Sequence, residues 1–147
     1  MRIPTVLALV AGLTLGAGAP AYAANSTGLV AYLAGTSELP SGTGDPDATG
    51  VTLASIKAGS GTICYVIRVR DVDGTVDGAH LHAGRVGQEG PAVAHLDPPV
   101  VNGAVAACTW IGKKLAAKIR KSPQKYYVNV HSTAFPDGAL RGQLHRA

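Results

Sequence analysis

Thr62-Ile63-Cys64-Tyr65-Val66-Ile67-Arg68-Val69-Arg70 is the stretch that decides the fold. In an extended strand, successive side chains point to opposite faces. Ile63, Tyr65, Ile67 and Val69 then share one apolar face. Cys64, Val66, Arg68 and Arg70 share the other, and the two arginines place the end of that face in water. The same reading extends outward. Leu29 to Leu33 forms a first strand, and Ser37 to Ala48, with Pro40, Gly42, Gly44 and Pro46, forms a loop. Gly50 to Lys57 is a second strand, closed by the turn Ala58-Gly59-Ser60-Gly61. Downstream, Asp71-Val72-Asp73-Gly74 is a turn and Ala79 to Ala83 a short strand. Gly84 to Pro91 is a loop, and Ala92 to Leu96 a short strand ended by Pro98-Pro99. Gly103 to Trp110, Tyr126 to Ser132 and Ala139 to Leu144 complete the strands, with a turn at Pro136-Asp137-Gly138. Lys113 to Lys121 breaks the pattern. Ile111, Leu115 and Ile119 recur every four positions, which predicts a short amphipathic helix ended before Pro123. The expectation is an all-β, antiparallel Greek-key sandwich or barrel of about eight strands with one short helix.

Composition agrees with many short strands: glycine is plentiful at 19 residues and aromatics are few. Residues 1–23 read as a signal peptide. Arg2 is the charged start, Val6 to Ala19 the apolar stretch, and Ala21-Tyr22-Ala23 the cleavage site. The apolar stretch is too short for a membrane span. Ala24 to Ala147 then forms one exported domain. The formal charge of +4 falls by one when Arg2 is removed, too weak an excess to point to nucleic acid. Cys64 and Cys108, an even pair in an exported chain, favour a disulfide. The bond would close a loop worth roughly 4 kcal/mol in the chain-entropy model.

The sharpest chemical signal is a set of three histidines. His80 and His82, in Gly78-Ala79-His80-Leu81-His82-Ala83-Gly84, point the same way on a strand, with Leu81 opposite. His131, in Tyr126-Tyr127-Val128-Asn129-Val130-His131, can join them from a neighbouring strand. Three imidazoles can hold copper or, as second choice, zinc. They can equally form a hydrogen-bonded cluster without metal. Asn129 shares the face of His131 and can support an imidazole. Arg141 can draw an anion to the site, or serve structurally with a partner such as Asp137. His95 and His145 read as surface residues. Lys113, Lys114, Lys118, Arg120, Lys121 and Lys125 form a basic run that fits an anionic polymer, a lipid surface or simply a solvated helix face. No serine-histidine-acid set or carboxylate pair is present to argue an enzyme.

These motifs resemble the chordin-type (CHRD) domain family from about Leu29 to Leu144. The resemblance rests on Leu33-Ala34-Gly35, Glu38-Leu39-Pro40, Ala79-His80-Leu81-His82 and Gly90-Pro91. It continues through Tyr126 to His131 and ends on Gly138-Ala139-Leu140-Arg141-Gly142-Gln143-Leu144. Chordins bind growth factors of the transforming-growth-factor class, whereas membership alone implies no biochemical activity. A second likeness is to copper-zinc superoxide dismutases. His80, His82 and His131 stand where three copper ligands stand there, and Arg141 where the anion-guiding arginine stands. The zinc-holding His and Asp loop of those enzymes is missing. The resemblance implies an exported, non-enzymatic binding or structural module. Its partner would be an extracellular protein or an envelope polymer. The alternative is a copper-binding protein with a three-histidine site and superoxide-dismutase-like chemistry.

Overall fold

The computed structural model describes residues 25–100 and 103–147. The signal peptide expected at residues 1–23 lies outside them. Among the described residues there are nine strands and one α-helix. The strands are β1 (Ser26–Ala34), β2 (Thr49–Lys57), β3 (Thr62–Arg70), β4 (Val76–Ala83), β5 (Ala92–Leu96), β6 (Ala104–Trp110), β7 (Tyr126–Ser132), β8 (Leu140–Gln143) and β9 (His145–Arg146). The helix is α1 (Lys113–Lys121), with the bounds that its periodicity predicts. The expected last strand, Ala139 to Leu144, is instead β8 followed by the two-residue β9, with Leu144 turned into the core.

All pairings are antiparallel, in the order β5-β4-β7-β8-β1-β2-β3-β6, with β9 also on β1. The sheet curls into a nearly closed barrel. The chain lays down β1-β2-β3 as a meander, crosses to the far margin for β4 and β5, then returns to set β6 beside β3. Helix α1 carries it across one end of the barrel to β7, which enters between β4 and β8. Tyr65, whose hydroxyl accepts from the Asp97 N–H at 2.8 Å, links the chain after β5 to β3.

The alternation read from β3 holds: Ile63, Tyr65, Ile67 and Val69 are buried, while Arg68 and Arg70 are exposed. The core gathers Leu29, Ala31 and Leu33 from β1 with Leu81, Val128, Val130 and Leu140. Each large aliphatic side chain so buried contributes about 1.5–3 kcal/mol from leaving water. Ala116 and Ile119 of α1 close one end of this core. The cysteines lie on the outer face. Cys64 and Cys108 are directly paired across β3 and β6 and form a disulfide.

A loop-covered histidine face

The apolar side of β4, β7 and β8 faces the core, so period two sends the alternate residues outward. Register then assembles a polar row across four strands. His95 of β5 pairs with His80 of β4, His80 with Asn129 of β7, and Asn129 with Arg141 of β8. His82 pairs with Tyr127, and His131 with Gly78, on either side of this row.

Two loops roof the face. The β4–β5 loop is fastened by hydrogen bonds from Gly84 N to Lys125 O, 2.8 Å, and from Gly90 N to the Tyr127 hydroxyl, 3.3 Å. The β1–β2 connection is fastened by Asp45, whose backbone N–H donates to Ala139 O and whose carboxylate accepts from Asp73 N at 2.7 Å. The roof explains why Asn129 and Arg141, on the outer side of the sheet, are only 5% and 4% exposed.

The structure brings His80, His82 and His131 together. One ring nitrogen from each lies within 4.8 Å of the other two. His82 Nδ1 lies 2.9 Å from Gly90 O, and His131 Nδ1 lies 2.9 Å from Pro136 O. A carbonyl oxygen only accepts, so both Nδ1 atoms carry a proton, and in the neutral ring the lone pair is then on Nε2. His131 Nε2 points at His80 Nδ1, 2.9 Å away. His82 Nε2 is buried and has no hydrogen-bond partner. Anchoring one ring nitrogen on a carbonyl while the other stays free is how protein scaffolds orient metal-binding histidines. Burial, and the neighbouring His131, His95 and His82, lower the pKa of His80. Burial also lowers that of His82, aided by His131 and Arg141 and opposed by the Gly90 carbonyl. Both rings are therefore biased towards the neutral form that can ligate.

The remaining residues fall into place around this trio. His95 is exposed, as expected of a surface residue, yet its ring lies edge-on to His80 with centroids 4.8 Å apart. Asn129 donates to Glu38 Oε2 at 3.4 Å, and its own Oδ1 has no partner. Arg141 is held by the roof: its Nη2 donates to Gln88 O at 2.6 Å and Arg85 O at 3.2 Å, and its guanidinium lies 3.5 Å from the centre of the Tyr127 ring. These carbonyls and the ring take the place of the aspartate partner considered from sequence. Tyr127 also stacks with His82.

Glu38 is the residue that sequence reasoning left without a role. It descends from the β1–β2 connection, is 4% exposed, and leaves Oε1 with no partner. Gly138 lies against this carboxyl, where a Cβ would fall 2.8 Å from the carboxyl carbon, and its φ of +148° is one that side chains rarely adopt. Burial raises its pKa to about 7, against the lowering effects of the Arg141 charge and the bonds from Asn129 and the Leu39 backbone. The signal available was the charge itself: Glu38 in Glu38-Leu39-Pro40 is the one acid between Ser26 and Gly44.

Three of the four buried side-chain atoms that lack partners among the described residues, Glu38 Oε1, Asn129 Oδ1 and His82 Nε2, lie on this face. The fold and site thus define an antiparallel barrel domain with a roofed face of histidines and buried polar groups. The CHRD domain profile matches residues 29–144, and the chain belongs to that family. No curated protein and no solved structure matches. The likeness to copper-zinc superoxide dismutases gains no support from these comparisons.

Proposed function

We propose that this CHRD domain is an exported, non-enzymatic binding module whose histidine face holds one transition-metal ion. His80, His82 and His131 would be its ligands, with copper favoured and zinc the second choice. The reading rests on one observation: His82 and His131 are each fixed through Nδ1 by a backbone carbonyl, His131 Nε2 is aimed at His80, His82 Nε2 is buried without a partner, and all three rings converge. Three imidazoles suit both ions, and a bound ion would satisfy the orphaned His82 nitrogen. Export is supported by the cleavable leader read in residues 1–23 and by the disulfide. No helix among the described residues is long and apolar enough to cross a membrane. Growth-factor binding belongs to the chordins and is not carried over.

Elemental analysis of natively oxidised protein, with calorimetric titration of copper and zinc, tests the site. The wild type is expected to bind about one equivalent, the His80→Ala/His82→Ala/His131→Ala variant essentially none, and His95→Ala about as much as wild type. A wild type that takes up neither ion leaves the His80–His131 hydrogen bond as the purpose of the cluster and refutes the metal reading.

A further inference from the structure

The lysines and the aspartates gather at opposite ends of the barrel, with Arg68 and Arg70 standing among the aspartates. Asp45, Asp47, Asp71, Asp73 and Asp77 sit at the end where β2 and β4 begin. The other end carries α1. After Asp97 the sequence has a single acid, Asp137, and it lies in the turn beyond β7, at the end away from α1. Within the basic pole, Lys114, Lys118 and Lys121 are exposed and spaced by four and three residues, which places them in one stripe. Opposite that stripe, Ala116 and Ile119 are buried against the barrel. Arg120 is turned aside to donate to Thr27 Oγ1 at 3.0 Å. The stripe runs about 10 Å along the helix, with the Cβ atoms of neighbouring lysines roughly 5–6 Å apart.

Two further features single out an anionic occupant. The first turn of α1 holds no acid and begins with Lys113 and Lys114, so cations stand where the helix dipole favours negative charge. Beside that turn stands Trp110, 65% exposed. Its ring rests over Gly61, where a Cβ would fall 2.5 Å from the indole and 2.8 Å from Lys113 N. An exposed indole offers an apolar face on which a sugar ring can lie.

We infer that this pole docks a linear acidic glycan, with its acid groups on the Lys114-Lys118-Lys121 stripe and a sugar ring on Trp110. A narrow row of cations fits a chain better than a plane. The apolar side of α1 is committed to the core, which leaves one aromatic where a membrane-seated helix presents a whole apolar face.

Binding of the intact protein to polygalacturonate and dextran sulfate, with neutral dextran and phosphatidylglycerol vesicles as comparisons, decides the matter. The wild type is expected to bind both acidic polymers at low salt, weakening steeply as salt rises. Lys114→Ala/Lys118→Ala/Lys121→Ala should weaken binding about tenfold or more, and the corresponding triple arginine variant should retain it. Trp110→Ala should weaken it several-fold without changing the salt dependence. Binding to vesicles but not to polymers would assign the pole to lipid and overturn the inference. So would a triple alanine variant that binds as wild type does, or binding indifferent to salt.

Discussion

Glu38→Gln is expected to stabilise the protein at pH 8 by up to about 3 kcal/mol and to change little at pH 4. The sign follows from where the proton sits. Burial raises the carboxyl from 4.5 in the unfolded chain to about 7 in the fold. The folded state therefore holds a proton that the unfolded state releases across that interval. The stabilisation is fully present below about 4.5 and is lost as pH rises through about 7. Glutamine keeps the shape of the protonated side chain and has no charge to desolvate. Its amide can also exchange hydrogen bonds with Asn129, whose Oδ1 lacks a partner. Urea unfolding of both proteins from pH 4 to 8.5 measures the effect. Parallel stability curves across that range would show that Glu38 is solvated in the fold. The roof would then be looser than its hydrogen bonds indicate.

Removing the disulfide acts in the opposite direction. Cys64→Ala/Cys108→Ala is expected to lose about 4 kcal/mol, since the bond closes a loop with a sequence separation of 44. The position makes this a clean measurement. Both sulfurs sit on the outer face of β3 and β6, so alanine opens no hole in the core and the ladder between the strands can persist. Chemical denaturation of the oxidised wild type and the double variant gives the difference. A loss below about 1 kcal/mol would mean that the unfolded chain gains little freedom when the tie is cut.

The strands were legible because period-two alternation is a local signal, strongest in β3. The helix was legible because Ile111, Leu115 and Ile119 switch that period to four. The phase of His80, Leu81 and His82 followed from the same rule, and the structure buries Leu81 completely while the imidazoles face out. What was hidden depends on chain segments that carry no period. Glu38 meets Asn129 across 91 positions because an irregular loop folds over the sheet. Arg141 could be read as a structural arginine, but its partners are carbonyls of the 84–91 loop and not an aspartate. His95 joins His80 through a strand register that a bulge at Leu81 and His82 interrupts. Residue types announced the histidine face, while the loops that roof it are placed by contacts distant in sequence.

The position of β1 sets the order in which this molecule can assemble. One side of β1 pairs with β2 over nine consecutive residue pairs, across a single connection. Its other side waits for Arg141, His145 and Arg146, more than a hundred residues later. A chain emerging from its N-terminus can form the β1-β2-β3 meander early, yet it carries an open strand margin until residues 141–146 arrive. Such long-range closure is slow. In pulse-labelled hydrogen exchange during refolding, amides shared by β2 and β3 should gain protection before those of β8. Simultaneous protection of both would mean that the barrel closes in one concerted step. On the expected order, completing the C-terminal strands is the event that commits the chain to its native state and withdraws the margin of β1 from other chains.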